Sequence, residues 1–464
     1  MHLIPKKQPD NIIVIVADSL RFNTVFRDGS PGLPYIESTS TNFLQARSAG
    51  CWTLPATASM FSGLIPHQHG ATSQTRFLNS KQPLLAELMK ANGYNTVQVT
   101  ANVATTKVFG LDKGFDEVHK IWKNVKPQFK LFTRLLVQAS RPRFRKLLQT
   151  RDKIINKLSE DLQSGNCWLQ NTYPDIFDKA RQIISINEKK NKKSFLFLNL
   201  MESHFPYHAF PKLGFYSDTI SDKLTEIKSL YHTINQSFLK KDKDYIGQKG
   251  RQIIKERQRK SWEILRGAID EFVKELHQNK NNLVIFMADH GDNFGEQNWF
   301  YHFSNVTDAG NKIPFFWLDN NSGTARNIEF PVSSRFIFNE LLRAINHNEH
   351  NITDNPSSGF SLFTETAENL PIMQSYWYNN MESTLSKYIY NQFAFMHNGM
   401  RYANRNGKWL AAAPASISEE PEFTTINGIN PIEDCVDDTA RKEYLKKVYK
   451  EYELFSEFIL KKHK

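Results

Sequence analysis

The chain reads as an α/β protein: a mostly parallel central sheet with helices on both faces, followed by a smaller C-terminal α+β subdomain. Three observations predict this. Apolar runs of strand length, at 11–17, 95–100, 194–200, 283–288 and 313–318, alternate with segments of helical period. Two of those runs stop abruptly in polar ligand types, Asp18 after the first and Asp289-His290 after the fourth. Open α/β sheets gather their ligands at such carboxyl ends. Beyond residue 320 the texture changes to shorter, mixed elements.

In chain order, the strand at 11–17 opens the sheet, and helices are expected at 57–62, 84–91, 175–187 and 258–278. Two Lys-rich and helical insertions, about 120–165 and about 212–256, separate the strands. Insertions of that length shape a substrate pocket or a partner surface. After 320 a helix is expected at 335–345, strands at 370–377 and 393–404, and an amphipathic helix at 441–462. The division expected is a catalytic unit over 1–350 and a smaller subdomain over 351–464 packed on it, with no flexible linker.

The 464 residues are enough for a large core. Hydrophobic content of 40% and charged content of 23% place the chain among ordinary globular proteins. No apolar run reaches the roughly 18–20 residues of a membrane span. The first residues lack a signal-peptide apolar region, because Gln8, Pro9, Asp10 and Asn11 interrupt it. A cytoplasmic protein is the expectation. Cys51, Cys167 and Cys435 are too few and too scattered for a disulfide framework or a zinc knuckle, and read as reduced thiols.

The net charge of +11 is concentrated. Between Lys120 and Lys157 stand twelve Lys or Arg and one acid, Asp152, so this segment accounts for the whole excess. With Leu135, Leu136, Phe144, Leu147 and Ile154 interleaved, it reads as basic amphipathic helix. A solvated insertion is the plain reading; a lid over an anionic substrate, an acidic partner or an anionic lipid surface are the sharper ones. Nucleic acid is disfavoured, since no recognition motif accompanies the charge.

A third element joins the two strand ends. Residues 51–70 read Cys-Trp-Thr-Leu-Pro-Ala-Thr-Ala-Ser-Met-Phe-Ser-Gly-Leu-Ile-Pro-His-Gln-His-Gly. With Thr53, Pro55, Ala56, Ser62, Gly63, Pro66, His69 and Gly70 in register, this stretch resembles the nucleophile motif of the sulfatase branch of the alkaline phosphatase superfamily. The 11–18 run resembles that family's first metal strand, and 201–207 (Met-Glu-Ser-His-Phe-Pro-Tyr) its Asp-Pro-His-x-Pro-Tyr stretch. Residues 288–296 resemble its second metal motif, and 300–302 (Phe-Tyr-His) the Gly-His that follows. The resemblance runs from 11 to about 410 and weakens after 320. It implies one divalent cation held by Asp18, Asp289, His290 and the Thr53 hydroxyl. It further implies that His204 and His302 bind the transferred group or protonate the leaving oxygen, and that Asn102 contacts the same group. His67, His69 and His208 are expected to be structural or on the surface.

The departures direct the chemistry. Where the family carries the Cys or Ser that becomes formylglycine, this chain has Thr53, which cannot form an aldehyde; Cys51 is two residues early. Thr57 replaces the motif's Arg, and Ser19 its second Asp. A phosphothreonine can be attacked in line at phosphorus, whereas a sulfothreonine lacks the exit a formylglycine provides. A hydroxyl nucleophile also needs a cation or base. The expectation is a metal-dependent, sulfatase-like hydrolase of anionic phosphate mono- or diesters acting through Thr53. One imidazole beside carboxylates favours Zn²⁺ or Mn²⁺, with Ca²⁺ or Mg²⁺ as the all-oxygen alternatives. No Asp-x-x-x-His motif supplies a second metal site. The competing readings are a sulfuric ester hydrolase, a phosphoethanolamine- or phosphoglycerol-type transferase, and a catalytically silent scaffold.

Overall fold

The computed structural model describes residues 5, 7–26, 32–72, 75, 77–124, 171–205, 207, 226, 229, 247–278, 281–296, 299–302, 306–319, 325–347, 365–367, 392–405, 407–413 and 422–462. The main sheet contains β1 (Asn11–Ala17), β2 (Thr41–Phe43), β3 (Tyr94–Thr100), β4 (Glu117–Lys120), β5 (Lys193–Leu200), β6 (Asn282–Ala288), β7 (Phe315–Asp319) and β8 (Arg326–Ile328). Their spatial order is β8-β2-β7-β6-β1-β5-β3-β4. The run β6-β1-β5-β3-β4 is parallel, and β7 runs against both of its neighbours. β1 and β6 are buried at every position. That explains why they read as continuous apolar runs: helices cover a parallel sheet on both faces.

Six helices matter for the site: α1 (Thr53–Ser62), α2 (Leu85–Ala91), α3 (Tyr173–Lys189), α4 (Gly247–Gln278), α5 (Phe336–Ala344) and α6 (Thr439–Lys462). Phe61 of α1 meets Phe197 of β5 edge-on at 4.9 Å, and Phe177 of α3 stacks on Phe272 of α4 at 4.1 Å. Each such ring contributes about 1.5–3 kcal/mol by leaving water.

A second, five-stranded antiparallel sheet follows: β9 (Glu365–Ala367), β10 (Gln392–His397), β11 (Met400–Arg405), β12 (Lys408–Ala412) and β13 (Thr424–Thr425). Its residues alternate between two environments, as strand geometry requires. Phe393, Phe395 and Tyr402 pack on Leu445, Val448 and Tyr452 of α6, together with Ile65. Ala394 and Ala403 pack instead against Cys51 and Val306, with Trp52 alongside. The small sheet therefore backs the chain immediately ahead of Thr53. Asp308 adds a polar tie, pairing with Arg47 at 2.9 Å and with Arg401.

Several expected boundaries shift. The helix expected at 57–62 begins at Thr53. Pro55 does not delay it, because a first-turn N–H has no intrahelical partner to lose. The helix expected from 258 starts at Gly247, inside the stretch expected as an insertion. The strand expected at 393–404 is a hairpin that turns at Asn398-Gly399, both with positive φ (47° and 78°). An Asn-Gly pair is the residue choice a tight turn demands. The strand expected at 370–377, the basic segment beyond Asn124 and nearly all of 212–246 lie outside the described residues. Among the described residues no helix is long and apolar enough to cross a membrane.

Candidate active site and metal centre

The three central strands end together, with Ala17 beside Leu200 on one side and Ala288 on the other. Asp18 and Asp289-His290 follow directly, and all three side chains are fully buried. Gly291 then turns the chain away; a Cβ there would lie 2.2 Å from the carbonyl of Ala309, so only glycine fits. Ser19 holds a left-handed φ of 60°, which costs a non-glycine residue about 1 kcal/mol or more. In that conformation its N–H donates to Asp289 Oδ1 at 3.1 Å, and its hydroxyl donates to Asp18 Oδ1 at 3.3 Å.

Thr53 is the first residue of α1, after an extended Trp52, and no side chain caps the helix. The positive end of the helix dipole therefore faces the cluster. Thr53 Oγ1 lies 3.4 Å from Asp18 Oδ2 and 3.4 Å from His290 Nε2. His290 Nε2 lies 3.6 Å from Asp18 Oδ1 and 3.4 Å from Asp289 Oδ2. A tetrahedral shell with bonds of ~2.1 Å separates its ligand atoms by roughly 3.4 Å. These separations are close to that spacing, and the ligand atoms of Asp18, Asp289 and His290 all lie within 4.8 Å of one another.

Other details fit a cation. Asp289 Oδ2 is buried and accepts no hydrogen bond. Burial, then the charge of Asp18, pushes the Asp289 carboxyl well above the ordinary carboxylate range. Burial also acts to raise Asp18, but His204, His290 and the Asn102 amide outweigh it and hold it below the ordinary value. His290 Nδ1 sits 2.9 Å from the carbonyl of Gly291, which places the ring proton there and presents Nε2 as a lone-pair donor. Two carboxylates, an imidazole and a hydroxyl converging without a positive charge is costly, and a divalent cation removes the cost.

Asn102 follows β3. Its Oδ1 accepts from Ala104 N at 2.8 Å, capping the short turn at Val103–Thr105. The amide nitrogen consequently faces the cluster, reaching Asp18 Oδ2 at 2.7 Å and Thr53 Oγ1 at 3.5 Å. His302 lies beside His290, with ring centroids 4.6 Å apart and planes tilted by 48°, and the His204 ring lies 5.2 Å from that of His302. All seven residues singled out in the sequence are gathered at this one sheet edge.

Sequence reasoning missed several others. Asp292, fully buried, lies with Oδ1 2.5 Å from His302 Nδ1 and accepts from Tyr207 Oη at 2.8 Å. Burial pushes Asp292 up to about 7 and, with His290 and His204, holds His302 well below its ordinary value. Asn199, near the end of β5, points an amide at Asp18 Oδ2 from 3.5 Å. Gln258 of α4 donates to the carbonyls of Ser19 at 2.9 Å and Ser203 at 3.1 Å. The signal for Asp292 and Tyr207 was present, because both lie inside recognised motifs. Gln258 carried none. His290, Asp292 and His302 form a second cluster of metal-ligand types. His290 Nε2 belongs already to the first, and Asp292 and His302 are bonded to each other, so the first cluster is the better cation site.

Comparison with known proteins follows the same lines. The family model described as "Sulfatase" matches residues 10–347, more than half of the chain. Arylsulfatase K of Xenopus laevis is 28% identical over 101 residues, 21% of this chain and 19% of that protein, so the matched stretch is a small part of it. The phosphonate monoester hydrolase of Agrobacterium radiobacter superposes with a TM-score of 0.55 at 13% identity, over 96% of each chain. An alkaline phosphatase superfamily protein from Vibrio parahaemolyticus gives 0.52 at 12% identity, over 98% of this chain and 90% of that one. These structures share the fold, and the family is one of ester hydrolases: the chain belongs to the sulfatase family.

Proposed function

We propose that this protein is a metal-dependent hydrolase of phosphate mono- or diesters that works through a covalent Thr53 intermediate. One observation carries the reading: Thr53 Oγ1 stands 3.4 Å from both Asp18 Oδ2 and His290 Nε2, at the uncapped start of α1. Asp18, Asp289, His290 and Thr53 would hold Zn²⁺ or Mn²⁺, an assignment that the single imidazole supports over Ca²⁺. Such a cation lowers the pKa of a bound hydroxyl and neutralises charge on the transferred group.

The rest falls to the chain itself. Asp18 and Asn102 fix the Thr53 hydroxyl, which gives up its proton to solvent as its oxygen attacks phosphorus in line and the bond from phosphorus to the ester oxygen breaks. His204 gives that oxygen its proton, and His302 holds a non-bridging oxygen. Water then attacks the same phosphorus and gives a proton to His204, releasing phosphate from a monoester or a phosphate monoester from a diester, while the departing Thr53 oxygen regains a proton from solvent. Threonine supports phosphate over sulfate, because it has no aldehyde hydrate through which to expel sulfate.

The test is turnover of aryl phosphate, phosphodiester and sulfate esters, with metal content, on wild type and Thr53→Ala. About one Zn or Mn per chain with Thr53-dependent phosphate ester turnover supports the reading. Sulfate turnover that needs Thr53 would replace phosphate with sulfate, and absence of both metal and turnover after reconstitution would sink it.

A further inference from the structure

Asp292 is buried two residues past His290, at the mouth of a small hairpin. That hairpin pairs Asn293 with Tyr301 and Phe294 with Phe300. The register sets the next residues outward, Asp292 and His302, opposite one another. Asn293 fastens the pairing: its amide donates to the carbonyl of Tyr301 at 2.8 Å, and its Oδ1 accepts from Thr307 at 2.7 Å. Tyr301 and Tyr207 both hold left-handed φ values, 58° and 60°. For bulky residues that is a true outlier costing about 1–3 kcal/mol each, and it persists only where the surroundings enforce it. Tyr301 precedes His302 in the chain, and Tyr207 places its hydroxyl on Asp292 Oδ2. Two strained backbones thus serve one carboxylate and its imidazole.

We infer that Asp292 is the positioning residue of His302, fixing the ring's orientation and its Nδ1–H tautomer, with Tyr207 fixing Asp292 in turn. An imidazole has two nitrogens that exchange roles when the ring turns or the tautomer changes. With Nδ1 bound to the carboxylate at 2.5 Å, the ring acts on the reacting group through Nε2 in one defined orientation. The same logic governs a carboxylate-held histidine in acyl-transfer enzymes, where the amide substitution installs the wrong tautomer.

The kinetic part rests on the hydrolase reading, so the decisive readout is spectroscopic. In ¹⁵N-labelled protein at pH 8, His302 assigned by comparison with His302→Gln, Nδ1 carries the proton and Nε2 does not. In Asp292→Asn, whose amide donates where the carboxylate accepted, the pattern inverts to Nε2–H. Wild-type His302 without a proton on Nδ1, or an unchanged pattern in Asp292→Asn, overturns the inference whether or not any ester is hydrolysed. On whichever aryl ester wild type turns over, Asp292→Asn lowers kcat roughly 10- to 100-fold with KM and metal content unchanged. Adding Asp292→Asn to His302→Gln lowers it no further. A full additional loss in that background assigns Asp292 a role independent of His302. Tyr207→Phe, the milder variant should Asp292→Asn fold poorly, lowers kcat about 3- to 10-fold in wild type and has no effect in His302→Gln.

Discussion

Asn102 gives its amide to Asp18 at 2.7 Å while its own oxygen caps a turn, so one side chain both holds a local bend and orients a buried carboxylate. The same amide lies 3.5 Å from Thr53 Oγ1, which links the carboxylate to the proposed nucleophile.

Asn102→Ala therefore removes a hydrogen bond to a charged group, a contact of about 1.5–3 kcal/mol. The expected result is a 10- to 100-fold fall in kcat/KM with metal content retained, because no cation ligand is lost. Asn102→Asp should be worse, since it sets a second carboxylate against Asp18. Steady-state kinetics with metal analysis on both variants decides the matter; equal activities would remove Asn102 from the site.

Asp289 Oδ2 accepts no hydrogen bond from the protein, and in the proposed function a cation is its counterpart. Chelation should abolish turnover and lower the melting temperature by a few degrees, as loss of a ligand bound at about 100 times its Kd removes about 2.7 kcal/mol. Zn²⁺ or Mn²⁺ should restore both. Asp289→Asn should resist restoration at equal metal concentration while its apo form melts at or above the wild-type apo value, because a buried carboxylate has been neutralised. A melting temperature indifferent to chelator would contradict the coordination shell.

Much of this was legible because the chemistry sits where local rules apply. Apolar runs ending in Asp18 and Asp289-His290 are strands that stop at a sheet edge, and the sequence pattern shows both facts. α1 begins at Thr53, ahead of the expected 57, with Pro55 in its first turn, where a proline costs no intrahelical hydrogen bond. Gln258 was invisible for another reason. A glutamine on the buried face of a long helix acquires meaning only when tertiary packing brings Ser19 and Ser203 to it, residues 239 and 55 positions away. The hairpin facing Asp292 with His302 is likewise a matter of register, which a sequence pattern cannot count.

Gln258 joins α4 to both loops of the site and accepts from Thr24 Oγ1 at 2.9 Å. Gln258→Leu fills similar volume but strands the two buried carbonyls of Ser19 and Ser203. The expected cost is about 2–4 kcal/mol, with activity falling beyond the stability loss because Ser203 Oγ donates to the Asp18 carbonyl at 2.7 Å. Denaturant unfolding paired with kinetics at saturating metal tests this; an unaltered midpoint would show that water replaces the amide.

Acid should unfold the protein through two successive windows. Burial holds His67 and His69 down at about 3 from an ordinary 6.5, so both stay neutral in the fold and become protonated when it unfolds. Their contribution is complete above pH 6.5 and is lost as pH falls toward 3. Asp308 is held at about 2, where Arg47 and Arg401 outweigh the burial that would raise it. Glu296 is likewise held at about 2, Arg21 and Lys255 overcoming burial. Those depressed carboxylates stabilise the fold above their ordinary values of 3.8 and 4.5, and that stability disappears as pH drops through the range down to about 2. At about 1.4 kcal/mol per unit, each carboxylate accounts for roughly 2–3 kcal/mol. Through these groups urea midpoints measured from pH 7.5 to 3 should decline from about 6.5 downward, offset in part by Asp292, whose carboxyl, raised to about 7, stabilises the fold as pH falls toward its ordinary 3.8. His67→Leu separates the windows: neither His67 nitrogen has a hydrogen-bond partner, and Glu451 lies 4.0 Å away. The variant should match wild type within about 1 kcal/mol at pH 7.5 and show a shallower decline between 6.5 and 4. An identical slope in the variant would assign the first window to other groups.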